Sequence, residues 1–201
     1  MDYKINEIFE SLQGEGLNLG KRTIFIRLSG CNLNCEWCDT DHADYKKMSL
    51  KGINTLIEQV RMSNTKNIII TGGEPTIQDI LPLVVFLESK GYWIGLETNG
   101  TGDLTHIRRF IDYIAISPKP GSILHDSARY AQEIRVVNTY LTLKDILFLD
   151  WLPIPNKYIS VFDNAGDFNL VETIELLGEV NERVDQKWRL NQQFHKLLHI
   201  R

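Results

Sequence analysis

The chain has 201 residues, 43% hydrophobic and 24% charged, with a formal net charge of −4 and only three cysteines. That length suits one α/β domain and is short for a complete eight-fold barrel. The charge gives no positive field to grip a nucleic-acid backbone, and no run approaches the ~18 apolar residues of a membrane span. The expectation is a small-molecule substrate, no nucleic acid and no membrane. The N-terminal Met1-Asp2-Tyr3-Lys4-Ile5-Asn6-Glu7 lacks a positive-then-apolar leader, which predicts a cytoplasmic protein.

In chain order, β-rich runs alternate with helical patterns, and the loops of unusual composition all follow strands. Thr23 to Leu28 reads as a strand running into Ser29-Gly30-Cys31. From Ser49, a plausible N-cap, Leu50, Ile53, Leu56, Ile57 and Val60 follow helical spacing. Asn67 to Thr71 is a short β-branched run that ends in Gly72-Gly73-Glu74-Pro75. A helix is predicted from Ile77 to Lys90, then a strand from Tyr92 to Glu97 and a break at Asn99-Gly100-Thr101-Gly102. Tyr113 to Ile116 is a fourth strand, closed by Ser117-Pro118-Lys119-Pro120-Gly121. Glu133 to Val137 is a fifth, Lys157 to Phe162 a sixth, and Phe168 to Val180 a final helix. The expected architecture is one α/β domain over residues 1–201, a partial TIM-like barrel of about six parallel strands with flanking helices. Residues 1–20 and 186–201 are expected to be extensions that close the substrate site.

The cysteines form a CxxxCxxC triplet, Cys31, Cys35 and Cys38, on a Gly-led polar loop at a strand end, where α/β folds place their chemistry. Three thiolates on a 4Fe-4S cluster leave one iron open to a ligand. A structural zinc site is the rival, because His42 completes a Cys3His set at legal spacing. Buried thiols acting as small hydrophobes fit the polar neighbours poorly. The paired glycines of Gly72-Gly73-Glu74-Pro75 permit close approach of backbone to a ligand, and Glu74 could accept bonds from an ammonium; the bland alternative is a turn.

The triplet with an aromatic before its last cysteine, Trp37, resembles the signature of the radical S-adenosylmethionine superfamily, and Gly72 to Pro75 resembles its GGEP motif. Further segments narrow the resemblance to the 7-carboxy-7-deazaguanine synthases: Phe9 to Gly16, Phe25 to Leu28, Cys35 to Thr40, Leu96 to Thr101, Ser117 to Pro120 and Gln193 to Lys196. The resemblance implies a carbon–nitrogen lyase of queuosine and deazapurine biosynthesis. It would contract the ring of 6-carboxy-5,6,7,8-tetrahydropterin to 7-carboxy-7-deazaguanine with loss of ammonia, the radical chemistry being carried by cofactor. The implied cofactors are a 4Fe-4S cluster on Cys31, Cys35 and Cys38, S-adenosyl-L-methionine, and Mg2+ on Thr40.

By the same resemblance, Trp37, Cys38, Asp39, Gly73, Glu74, Asn99, Ser117, Pro118 and Lys119 would meet S-adenosylmethionine. Leu12, Gln13, Gly14, Glu15, Arg27, Thr71, Glu97, Gln193, His195 and Arg201 would meet the pterin. Residue chemistry suits this, since Arg27 can pair bidentately with a carboxylate while Glu97 and Gln13 match a pterin edge. Arg27 could instead form a surface ion pair, Gln13 and Glu15 could be turn residues, and His195 could sit on a helix face. The tail departs from the family pattern at Asn191, Gln192 and Phe194, where serine, proline and threonine are usual. A homodimer and a reductant such as flavodoxin or ferredoxin are also implied. Two other readings remain: a glycyl-radical-enzyme activase, which uses the same triplet, and a non-enzymatic zinc-binding module.

Overall fold

The computed structural model describes residues 1–38, 44–62, 64–139, 141–164 and 166–200. Its strands are β1 (Asp2–Leu12), β2 (Arg22–Leu28), β3 (Lys46–Ser49), β4 (Asn67–Gly72), β5 (Trp93–Thr98), β6 (Tyr113–Ile116), β7 (Glu133–Val137), β8 (Asn156–Ser160), β9 (Asp163–Asn164), β10 (Asp167–Phe168) and β11 (Arg189–Asn191). The helices are α1 (Leu50–Val60), α2 (Leu81–Ser89), α3 (Leu143–Asp150), α4 (Leu170–Asn181) and the single turn α5 (Phe194–Leu197). Among the described residues, nine strands form one sheet in the order β11-β8-β7-β6-β5-β4-β2-β1-β3, and β9 and β10 make a separate ribbon. Every neighbouring pair from β2 to β8 is parallel, β11 extends that run, and β1 joins both its neighbours antiparallel. The six strands expected from sequence are β2 and β4 to β8, side by side.

The period of two along each strand divides the sheet into two chemically different faces. Ile24, Ile26, Leu28, Ile68, Ile70, Ile94, Leu96, Ile114, Ile116, Ile134, Val136 and Ile159 share the main core with Ile53 and Ile57 of α1, Leu83, Val84 and Leu87 of α2, Ile146 and Leu149 of α3 and Val180 of α4. Burying each such side chain is worth about 1.5–3 kcal/mol, so this face holds the helices to the sheet. The alternate positions carry Phe25, Arg27, Thr71, Glu97, Glu133 and Arg135. There the only apolar cluster among the described residues is small: Phe9, Phe25 and Ile69, with Trp93 packed against it and the rings of Phe9 and Phe25 stacked at 5.1 Å.

Several boundaries differ from the expected ones for local reasons. The helix expected from Ile77 begins at Leu81, because Pro75–Ile77 first forms a 3-10 turn whose N-cap, Glu74, accepts from the Thr76 N–H. Pro82 then falls in the first turn of α2, where a missing N–H costs nothing. The sixth strand closes at Ser160 rather than Phe162; the helix expected from Phe168 starts at Leu170 because Phe168 pairs with Asp163 in the ribbon, and it is followed by α5 rather than being final. Among the described residues, no helix is long and apolar enough to cross a membrane.

Candidate active site

The parallel register aligns Leu28 of β2 with Gly72 of β4 and Thr98 of β5 with Ile116 of β6, so the loops that follow these strands emerge together. They surround a cavity of about 460 Å³. Its wall includes Cys31, Cys35, Trp37, Cys38, Gly73, Asn99, Ser117 and Lys119 towards the loops, and Leu12, Gln13, Gly14, Glu15, Arg27, Thr71, Glu97, Gln193 and His195 towards the sheet and the two chain ends. Residues from Glu7 near the start of the chain to Ile200 near its end therefore share one chamber.

All three thiols face that chamber. The turn is tightened by the Cys38 N–H donating to the Cys35 carbonyl at 3.2 Å, and the Leu33 N–H points at the Cys31 sulfur at 3.4 Å. Burial pushes the Cys35 thiol up, the Lys119 charge opposes this, and Cys38 and Cys31 push it further up. Three thiols on one short loop lining one chamber, with no fourth cysteine in the sequence, are the donor set for a 4Fe-4S cluster with an open iron. The described residues contain no group of three His, Cys, Asp or Glu side chains converging on a single ion. A cluster asks for less convergence, because each thiolate binds a different iron. Asp39, Thr40, His42 and Arg201 lie outside the described residues.

The glycine pair is forced by close packing. Gly72 has φ of 142°, in the region that favours glycine, and a β carbon on Gly73 would strike the Gly30 carbonyl. Hydrogen bonds from Gly73 N to Leu28 O (3.2 Å) and Glu74 N to Gly30 O (2.8 Å) lay this loop against the cysteine loop. The Glu74 side chain corrects one expectation. It is fully buried, and its carboxylate accepts from Thr76 N (3.0 Å), Thr76 Oγ1 (2.7 Å), Thr98 Oγ1 (2.7 Å) and Asn99 N (2.6 Å). Three of these bonds end on Oε1 and one on Oε2; fully buried and absent from the cavity wall, the carboxylate stitches two loops together and is not placed to meet an ammonium in the cavity, to which the motif presents Gly72 and Gly73. Asn99 joins the cysteine loop by donating to Asn32 Oδ1 at 3.0 Å. Lys119 donates to Ser117 Oγ at 2.7 Å, while Pro118 between them is buried away from the cavity wall.

Glu97 is the hub of the sheet end. Its Oε1 accepts from Gln13 Nε2 (2.8 Å) and Arg135 Nη1 (3.0 Å), and its Oε2 from Thr71 Oγ1 (3.1 Å). Burial alone would raise this carboxyl, but the Arg135 charge and the bonds from Gln13, Arg135 and Thr71 hold it below the usual carboxylate range. Arg27 reaches the cavity from β2 with its Nε 2.9 Å from Glu7 and its guanidinium 5.9 Å from the centre of the Phe9 ring. Arg27 is thus half-buried and ion-paired within the wall, which joins the two readings of it.

Arg135 lines the cavity too, although it is not among the residues expected there. Its guanidinium also lies 3.4 Å from Glu15 and in contact with Glu133, itself fully buried and accepting from Tyr113 OH and Leu17 N, each at 2.7 Å. The overlooked signal was Glu133 and Arg135 two apart on a central parallel strand, where both faces are covered and unpaired charge is excluded. Asn191, one of the atypical tail residues, donates to Glu15 Oε1 (3.0 Å) and Ser160 Oγ (2.8 Å) and accepts from Gly16 N (3.0 Å).

An α/β sheet carrying a cysteine triplet at a strand end and a glycine loop beside it defines a class, and residues 25–126 match that class, the Radical SAM superfamily. The 7-carboxy-7-deazaguanine synthase of Haemophilus influenzae is 42% identical over 99% of this chain and 94% of its own length, and that of Neisseria meningitidis is 38% identical over 96% and 92%. The crystal structure of QueE from Escherichia coli superposes with a TM-score of 0.76 at 28% identity, covering 96% of this chain and 94% of that one. The chain belongs to the 7-carboxy-7-deazaguanine synthase family and is a radical S-adenosylmethionine enzyme.

Proposed function

We propose that the chain catalyses the radical ring contraction of 6-carboxy-5,6,7,8-tetrahydropterin to 7-carboxy-7-deazaguanine, with release of one ammonia. The observation that carries this reading is a single chamber joining three thiols at one end to an ionised Glu97, held by Gln13, Thr71 and Arg135, at the other. When bound, the cluster and S-adenosylmethionine supply one-electron reduction and hydrogen-atom abstraction. The protein's part is to hold, orient and exclude water.

Cys31, Cys35 and Cys38 would hold the cluster. Trp37, Asp39, Gly73, Asn99, Ser117 and Lys119 would cradle S-adenosylmethionine over it, with Glu74 bracing the loops from behind. Glu97 and Gln13 would take the nitrogen-rich pterin edge, and Arg27 the substrate carboxylate, a pairing suited to its planar fork. Thr40 would add a hydroxyl to a Mg2+ that otherwise keeps water and substrate oxygens. Residues 1–20 and 186–201 would close the chamber around the pterin in a single domain, the sheet curving as a partial barrel. Dimerisation and reduction by a flavodoxin or ferredoxin complete the proposal.

The test is anaerobic turnover. Reconstituted, reduced protein with S-adenosylmethionine and 6-carboxytetrahydropterin should yield carboxydeazaguanine by mass spectrometry, and the resting protein should be brown with about four irons per chain. Cleavage of S-adenosylmethionine without that product would overturn the assigned reaction and leave the superfamily standing. A colourless protein containing zinc would overturn the cluster.

A further inference from the structure

We propose that Arg135 is a positioning residue for substrate recognition: its guanidinium clamps Glu97, Glu15 and Glu133 together so that Glu97 meets the ligand as a fixed, ionised acceptor. The proposal rests on the reading above for the identity of the ligand, a 2-amino-4-oxo heterocycle rich in N–H donors. Arg135 stands in the middle of β7 with 7% of its side chain exposed. Three carboxylates face this one guanidinium, Glu97 at 3.0 Å, Glu15 at 3.4 Å and Glu133 in direct contact. Glu133 is itself immobilised by Tyr113 OH and Leu17 N, so the guanidinium is anchored from behind and has one orientation towards Glu97.

The consequence for Glu97 is chemical. Gln13 Nε2 and Arg135 Nη1 can only donate, and both bond to Oε1, which suits a carboxylate; the Thr71 hydroxyl on Oε2 is the one partner of the three that could accept the proton of a neutral acid. An ionised Glu97 accepts from an N–H donor in the cavity through either oxygen and with full charge; a protonated one keeps one neutral acceptor and turns its other oxygen into a donor. The groups that decide its state are Gln13 and Glu15 from the loop after β1, Thr71 from β4, Arg135 with Glu133 behind it from β7, and Tyr113 from β6. Without Arg135 the remaining charges in that set are negative, and burial then drives Glu97 towards the neutral form. Of the cavity's other basic residues, Arg27 is paired with Glu7 and Lys119 with Ser117, while Lys196 comes from the C-terminal segment.

The experiment compares holoenzyme with its Arg135→Gln and Arg135→Lys variants, using 6-carboxypterin as ligand and calorimetry between about pH 5.5 and 7.5. Wild type should bind with little pH dependence. R135Q should bind about tenfold or more weakly at the acid end, its dissociation constant falling by up to about tenfold per pH unit as Glu97 ionises, and R135K should restore a flat profile. The loss in turnover should appear as a raised KM more than as a lowered kcat. An R135Q protein with the affinity and pH profile of wild type, or one with only kcat lowered, would overturn the proposal. Should R135Q fail to fold, R135K carries the same decision: Glu97 held by a lysine must remain an ionised acceptor, and a pH-dependent loss of binding there contradicts the clamp. If wild type does not bind 6-carboxypterin, the substrate reading fails separately, and infrared spectroscopy then decides on Arg135. A protonated-carboxyl band that appears in R135Q and vanishes in R135Q/E97Q supports the clamp; its absence refutes it.

Discussion

Gly73 has no room for a β carbon, since Gly30 O and the Cys31 side chain occupy the space on that side. Gly73→Ala must therefore separate the cysteine loop from the glycine loop or strain both, at a cost of about 1–3 kcal/mol. The expected outcome is a folded protein with lowered melting temperature and S-adenosylmethionine affinity reduced about tenfold or more by equilibrium dialysis. Glu97 carries a second residue-level consequence. Its carboxyl is depressed in the folded state, so its contribution to stability is present above the ordinary carboxylate value of about 4 and is lost as pH falls through the depressed one. Urea midpoints measured from pH 5 down to pH 3 should fall in wild type and fall less steeply in Glu97→Gln. Both glycines and Glu97 were visible in the sequence because each sits at a strand end beside a turn signal. Glu133 and Arg135 were not, because a charge at every second position of a strand is also the pattern of a solvated face. Only the neighbouring strands reveal that this face is enclosed.

At the level of elements, the β-branched runs of β2 and β4 to β8 were legible because strands buried on both faces read as continuous apolar segments. β1 escaped notice for a specific reason. Tyr3 and Ile5 are buried in alternation, but an irregularity between Ile5 and Glu7 shifts the register, so Ile8 and Phe9 are both buried and the period of two is broken. α3 was missed because its eight residues bury only Ile146 and Leu149 fully, too short a stripe to stand out. Its start was marked all the same: Thr142 Oγ1 accepts from Asp145 N at 3.3 Å and Asp145 Oδ2 accepts from Thr142 N at 2.8 Å, a reciprocal capping box. Thr142→Ala should cost about 1 kcal/mol and lower the melting temperature by roughly 2–4 °C, read by circular dichroism, with cluster content unchanged.

On the scale of the molecule, the cavity is lined by segments from opposite ends of the chain, and these segments contribute unequally to the fold. Trp188 and Asn191 are buried, Trp188 within the main core, and β11 pairs with β8 through three residues. Beyond Asn191 no described residue joins the buried core; Phe194 N donates to Gly14 O at 3.0 Å, and Gln193, His195, Lys196 and Ile200 are on the cavity wall. A variant ending at Asn191 should keep nearly all of its stability, because what it loses is exposed surface and a few hydrogen bonds worth about 1 kcal/mol each. It should also keep the cluster and the cleavage of S-adenosylmethionine, whose proposed cradle lies on the loops after β2, β4, β5 and β6. The pterin end, by contrast, loses part of its wall and the restraint on Gly14, so KM for carboxytetrahydropterin should rise at least about tenfold while S-adenosylmethionine cleavage becomes uncoupled from product. A variant ending at Asp185 removes Trp188 and β11 as well and should melt well below the first. Equal melting temperatures for the two truncations, or unchanged coupling in the shorter deletion, would contradict this division between a core that ends at β11 and a cavity-lining segment that follows it.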